Sequence, residues 1–467
     1  MLGLFNTLKM GARALQANQL GVEITGQNLA NSSNAAYSRQ RVDLETSGTI
    51  PTSLGLQGTG VQVASIQQIR DSMLDGEMRD ESSVGGYWTS QQSTLQNAQT
   101  QLGEFLNLNA TGSATDSQGI SDQINNLFNS FQNLATNPTS IPDREDVVNQ
   151  AQTLAAGLNQ ASGQLSALND SLNTSITTNV TSVNQLLSQI ADLNDQIAKA
   201  TVTGGTANDL VDTREQDLEN LANLVNIKTT ANADGTMDVS IGGQQIISGK
   251  NVVDTLQAYD PGNGQLQIRT ATGGTPLTLT GGSIQGTIDA RDGALQTLRT
   301  GLDTLASSLI TQVNGIYSTG YDLNGNTGQS LFTGTDAATI GVNTNLLTDP
   351  SQVQAAGTAG ASGDNAVALK LAQLGSQSIA GLGNQTFSSA FASQVGGFGF
   401  ALSNANAQVS NSSSVTSMLQ NQRDSVSGVS IEEEVANLIT FQQAYSASSK
   451  IITTVDQMLS TVVNLKS

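Results

Sequence analysis

The sequence predicts a multidomain α+β protein: terminal helices that pair as a coiled coil, a long helical-bundle domain, and a small β-domain inserted into that bundle. Three observations lead there. Both ends carry apolar residues every seven positions, the middle carries long runs spaced by three and four, and one internal stretch splits into short segments divided by glycine-rich turns. At 467 residues the chain is long enough for several cores.

Residues 1–40 read as an amphipathic helix with its exit turn. Leu8, Leu15, Val22 and Leu29 recur at seven-residue intervals, and Phe5 and Ala12 precede two of them by three. Gly11, Gly21 and Gly26 interrupt the stripe. Each weakens an isolated helix by about 1 kcal/mol relative to Ala, but each also lets a neighbour approach closely. Residues 431–467 repeat the design. Leu438, Tyr445, Ile452 and Leu459 form one row, and Phe441, Ser448, Val455 and Val462 a second. Ser430 followed three residues later by Glu433 is a capping box, and Glu432, Glu433 and Glu434 sit where a helix N-terminus favours negative charge. Periodicity alone is satisfied equally well by two ordinary helices docked on a core.

Between the ends, residues 41–205 divide into an extended linker and the first part of the bundle. Val42-Asp43-Leu44 and Val61-Gln62-Val63 alternate, with Gly48, Pro51, Gly55, Gly58 and Gly60 as punctuation. Helical patterns cover residues 67–110 and 120–200, through Leu95, Leu102 and Phe105, then Ile124, Phe128 and Phe131, then Val183, Leu187, Ile190 and Ile197. Pro138 and Pro142 break the pattern, and Pro142 with Asp143 suits the first turn of the next helix. Residues 206–287 form the inserted, mostly β domain. A short helix over 208–224 opens it, and Val239-Ser240-Ile241, Gln245-Ile246-Ile247, Leu266-Gln267-Ile268 and Leu277-Thr278-Leu279 read as its strands. Residues 288–430 return to the bundle, with the stripe Leu295, Leu298, Leu302, Leu305, Leu309 and Val313. Loop and short strands occupy 319–360, a helix starts near Ala366, and residues 396–400 are expected to break the helical run before a further helix over about 401–426.

Composition excludes most chemistry. There is no Cys and no His, which removes thiol nucleophiles, imidazole bases, disulfides and the usual zinc sites. Eighteen basic against 38 acidic residues give a net charge of -20, so neither nucleic acid nor an anionic membrane is an expected partner. No run of eighteen or more apolar residues suits membrane insertion, and no cleavable signal peptide opens the sequence. An acidic-residue hydrolase needs apposed carboxylates. Asp143, Glu145 and Asp146, like Glu432 to Glu434, fall at helix starts, where capping explains them. Asp322, Asn324 and Asn326 alternate like part of a calcium loop. Gly325 comes too early, however, and the far glutamate is missing, so a capped turn is expected. No catalytic residue, cofactor or metal ligand is expected.

Residues 14–31, centred on Asn28-Leu29-Ala30-Asn31, resemble the N-terminal signature of flagellar rod, hook and hook-associated proteins. Tyr37-Ser38-Arg39-Gln40 resembles the form of that motif in the hook-associated protein 1 family. Ser33-Asn34-Ala35-Ala36 stands where that family has a Thr-Pro-Gly-like turn. Residues 427–445 resemble the matching C-terminal signature, and Gly282-Ser283-Ile284-Gln285-Gly286 and residues 320–325 resemble internal segments of the same family. The resemblance implies a structural, non-enzymatic subunit at the junction between flagellar hook and filament, adapting one lattice to the other and carrying torque. It implies self-association in a helical ring, contact with hook protein and with hook-associated protein 3, and an export chaperone at the C-terminal helix. The implied location is extracellular, reached through the flagellar export apparatus. Expected assembly residues are Phe5, Leu8, Leu15, Val22, Asn28, Leu29, Asn31, Tyr37 and Arg39, with Leu438, Phe441, Tyr445, Ile452, Val455, Leu459 and Val462. The alternatives are another axial protein (hook, distal rod or flagellin-like) and, from other classes, an adhesive module or the hydrolase above.

Overall fold

The computed structural model describes residues 2–52, 55–106, 119–203 and 205–464. Helix α1 (Leu2–Ala30) leads into an antiparallel ribbon of β1 (Gln40–Thr46) and β4 (Val61–Gln68), continued by the hairpin β2 (Thr49–Thr52) and β3 (Gly55–Gly58). The ribbon lies along α1, where Arg13 donates to the hydroxyls of Ser47 and Thr59. Then come α2 (Ser72–Leu106), α3 (Ile120–Thr136), α4 (Ile141–Val202) and α5 (Asn208–Leu224). A four-stranded antiparallel sheet follows in the order β5 (Ile227–Ala231), β6 (Met237–Ile241), β7 (Gln244–Ser248), β8 (Asn251–Val252), with a separate hairpin of β9 (Leu256–Tyr259) and β10 (Gln267–Thr270). Helix α6 (Gly282–Ala290) passes through a π-helical turn into α7 (Gln296–Tyr317). The loop region holds β11 (Phe332–Thr333), β12 (Gly341–Val342) and α8 (Thr344–Thr348), before α9 (Ala366–Leu374), α10 (Phe387–Ser427) and α11 (Ile431–Asn464).

Helix α4 organises the body. Its 62 residues make a rod of about 90 Å. Ser140 caps it by accepting the Asp143 amide at 3.3 Å, with Pro142 in the first turn. Its inner face is one apolar row that two cores divide between them. The larger core joins Val147, Leu154, Leu158 and Leu168 of α4 to Leu95 and Leu102 of α2, Phe131 of α3, Leu302 of α7, Leu371 of α9 and Phe391 of α10. The second joins Ile176, Val183, Leu187 and Ile190 of α4 to Leu218 of α5, Val239 and Ile241 of β6, Ile247 of β7 and Ile284 of α6. The inserted sheet therefore packs on the far half of the same helix. Each fully buried Leu or Ile there contributes about 1.5–3 kcal/mol before entropy is counted.

Two glycines of the family-like segment let α6 seat itself. Gly282 has φ +82°, and a Cβ there would lie 2.5 Å from the Val225 backbone. A Cβ on Gly286 would collide with the Tyr87 carbonyl oxygen of α2.

Three expectations need correction. Leu277-Thr278-Leu279 forms no strand; the chain there meets β10 through a single bridge, Arg269 to Pro276, and the Leu277 amide donates to the Ile268 carbonyl at 2.9 Å. The helical pattern assigned from residue 67 starts later. Residues through Gln68 belong to β4, and the helix begins at Ser72, where the Asp71 carboxylate accepts the amides of Met73 (2.9 Å) and Leu74 (3.4 Å). Residues 396–400 do not break the run, because α10 continues through all three glycines. Phe391, Phe398 and Leu402 are buried in the larger core, and that packing outweighs the low helix propensity of the glycines between them. The Asp322 turn uses its own oxygens. The carboxylate accepts the Asn324 and Asn326 amides, both at 2.8 Å, and the Asn326 side chain at 2.9 Å.

Candidate assembly interface

The two terminal helices pair antiparallel. Gly11 faces Ile452, Asn18 lies 3.4 Å from Ser448, Gly21 faces Phe441 and Asn28 lies 2.9 Å from Glu434. The seam sets small residues of α1 against larger apolar ones of α11, with polar pairs between them. A Cβ on Gly21 would stand 2.5 Å from the Phe441 ring, and one on Gly11 3.0 Å from Ile452. Ala17, Ile24, Thr25 and Asn28 of α1 are buried there, with Glu434, Ser448 and Val455 of α11. Gly11 and Gly21, which cost helix propensity, are thus positions where the partner helix comes close.

This arrangement places the expected assembly residues in three ways. Val455 is buried in the seam, and Phe441 lies half-buried over Gly21. Leu8, Leu15, Val22, Leu29, Leu438, Ile452 and Leu459 are half-buried, Ile452 over Gly11. Phe5, Tyr445 and Val462 are exposed, Phe5 by 51%. The pair also turns outward several apolar side chains that the heptad rows do not contain: Ile431, Val435, Ile439, Ile451, Met458 and Val463. The spacing of four between Ile431, Val435 and Ile439 is the sequence signal that marks this second face.

The signature residues after α1 close the end of the pair. Asn28 fills all its hydrogen-bonding capacity. Its amide donates to the Gln40 carbonyl (2.8 Å) and the Glu434 carboxylate (2.9 Å), and its oxygen accepts the Tyr37 hydroxyl (2.8 Å) and the Gln40 amide (3.0 Å). Asn31 donates to the Gln27 carbonyl within its own helix end. Arg39 reaches Glu434 at 2.8 Å and Glu433 at 2.9 Å. The acids at the start of α11 therefore do more than complement the helix dipole, since Glu434, 2% exposed, is the buried anchor of the motif. Burial, and then the carboxylates of Asp209, Asp212 and Glu434, push the Tyr37 hydroxyl above its ordinary pKa. It stays a donor. The altered turn has its own account: the Asn34 side chain accepts the Ala36 amide at 3.2 Å and its carbonyl accepts the Tyr37 amide at 3.0 Å.

A second polar cluster joins the pair to the body, and its charged members were missed by sequence reasoning. Asp212 of α5 accepts the Ser38 amide (3.1 Å) and Arg70 (2.8 Å), and Arg70 also binds Asp75 (2.6 Å). Arg79 pairs with Glu215, and Arg423 with Glu219. The acids recur along α5 at spacings of three and four, but their partners lie far off in sequence. Among the described residues, no group of three or more acidic side chains is arranged to hold a metal, and no helix is long and apolar enough to cross a membrane.

Residues 107–332 match the model of the flagellar hook-associated protein FlgK helical domain, and residues 420–465 match that of the flagellar basal body rod FlgEFG protein C-terminal region. Over 99% of both chains the sequence is 29% identical to flagellar hook-associated protein 1 of Bacillus subtilis. Sequence similarity and fold both point to the flagellar hook-associated protein 1 family. The chain is also 22% identical to the Escherichia coli member, end to end. The solved flagellar hook junction protein FlgK of Burkholderia pseudomallei shares the fold, with TM-score 0.65 at 18% identity, covering 75% of this chain and 100% of that one. The match to the FlgK helical domain spans α3 to α7, and so takes in α4, the whole of the second core and the α3, α4 and α7 part of the larger one.

Proposed function

We propose that this chain is a structural subunit at the junction between hook and filament of the bacterial flagellum, with no enzymatic role. The observation that carries this is the end-to-end match to curated hook-associated protein 1. The C-terminal segment alone matches a rod-protein model, but the match over residues 107–332 favours hook-associated protein 1 over hook, rod or flagellin. The subunit works mechanically. Copies stack in a helical ring through the outward apolar face of the terminal pair, contact hook protein below and hook-associated protein 3 above, and pass torque through the α4 rod. Before export through the flagellar apparatus to the cell exterior, a chaperone covers the exposed apolar side of α11. The test is complementation. Cells lacking the chain should show hooks without filaments by electron microscopy. The whole chain should restore filaments, and a chain without residues 431–464 should not. Filaments attached by the shortened chain would remove the terminal pair from the assembly surface.

A further inference from the structure

Two stretches of chain cross between the terminal pair and the body: residues 66–70, which lead from the ribbon to α2, and residues 427–430, which lead from α10 into α11; residues 37–40, which join α1 to the ribbon, run beside them. A passage of two loops is ordinarily a hinge. Here all three segments are bound together. The Arg39 amide donates to the Ser427 carbonyl at 2.9 Å, and the Ile69 amide to the Arg39 carbonyl at 2.8 Å. The first turn and a half of α5 then grips two of them. Asp212 takes the Ser38 amide and Arg70. Asp209 takes the Gln40 side chain at 2.9 Å. Asn208 donates to the Ile66 carbonyl at 3.2 Å and receives the Gln68 side chain at its own carbonyl at 3.2 Å. Ser38, Gln40 and Asp212 are buried.

We propose that the start of α5 is a lock that fixes the angle between the terminal helix pair and the body. The contacts are directional and largely shielded from water, so a changed angle leaves buried charges and amides unpaired. Apolar contacts tolerate sliding, whereas a carboxylate shared between a backbone amide and a guanidinium does not. Asp212 is the pivot because it ties the segment that leaves α1, through Ser38, to the segment that enters α2, through Arg70. The inference deepens the proposed junction role: a subunit that carries torque from its inner pair to its outer body needs a joint that does not yield.

The absence of cysteine makes the test direct. Spin labels at Ser188→Cys on α4 and Ser446→Cys on α11, both exposed, report the pair-to-body distance in the full chain by pulsed electron resonance. One narrow distance distribution is expected. Asp212→Ala should widen it by about twofold with the far-UV circular dichroism of the body retained. If that variant does not fold, Arg70→Gln, which leaves Asp212 its amide donor, should widen the distribution less but in the same direction. A broad distribution in the labelled parent overturns the lock, and so does an unchanged width in the variant that folds. Filament attachment by the labelled parent is scored separately. A parent that attaches filaments but shows a broad distribution sinks the lock alone. A parent with a narrow distribution that attaches none sinks the junction role alone.

Discussion

Asn28 carries four hydrogen bonds from a single side chain, and no other residue type of its size supplies two donors and two acceptor sites in that plane. Replacing it with Ala leaves the Gln40 backbone, the Tyr37 hydroxyl and part of Glu434 without partners in a buried site. Asn28→Ala should cost about 2–3 kcal/mol of local stability, read as faster hydrogen exchange along α1 and the start of α11. Unchanged exchange would mean that water replaces the amide. Asp212 makes a different prediction. Burial is the main cause of its pKa being raised from the ordinary carboxyl value to about 6, opposed by the Ser38 amide and Arg70. The folded chain thus holds a proton that the unfolded chain has lost between about pH 4 and about pH 6. Asp212 accordingly contributes more stability as pH falls through that window and less as it rises. Asp212→Asn, which does not titrate, should therefore gain on the parent as pH is raised from about 4 to about 7 in thermal unfolding. If the parent gains instead, Arg70 outweighs burial. A charge that weakens the fold at neutral pH yet orders two segments is the behaviour expected of a specificity device.

Among the elements, the terminal pair separates two glycines that the sequence treats alike. Gly21 sits under the Phe441 ring, whereas a Cβ on Gly26 would meet nothing within 4 Å. Gly21→Ala should loosen the pair by driving Phe441 aside, and Gly26→Ala should tighten it by up to about 1 kcal/mol through helix propensity. Hydrogen exchange of α11 distinguishes them, and equal effects of one sign would contradict the seam. The same pair shows what was legible. Helices, their lengths and the Ser430 cap follow from spacing and local chemistry, and the Ser430 hydroxyl does meet the Glu433 amide, at 3.5 Å. The seam does not follow, because leucine rows attract the eye while close antiparallel packing here selects Gly11 and Gly21. The long stripe of α4 was readable because its core residues recur within one element. The lock was not, because Ser38 and Asp212 are separated by 174 positions and nothing local pairs the Tyr37-Ser38-Arg39-Gln40 motif with α5. Residues 396–400 failed for the related reason that tertiary packing of Phe398 overrode local propensity.

For the whole molecule, the governing quantity is charge. A net charge of -20 with a pI near 4.1 makes any two copies repel at neutral pH. The terminal pair exposes apolar side chains, Ile439, Ile451, Met458 and Val463 among them, so the proposed contact between copies is driven by burial and opposed by long-range repulsion. Salt acts on these two terms in opposite proportion. Raising ionic strength from about 20 mM to about 500 mM shortens the screening length from about 20 Å to about 4 Å and removes most of the repulsion, while apolar burial is little affected. Self-association followed by sedimentation velocity should therefore strengthen with salt. It should strengthen again on acidification towards the pI, as carboxylates are neutralised. A contact made chiefly of intersubunit ion pairs, such as Glu433 meeting a basic residue of a second copy, would show the reverse and weaken with salt. The sign of the salt effect thus decides whether the proposed ring is held by the apolar face of α11 or by charges at its rim.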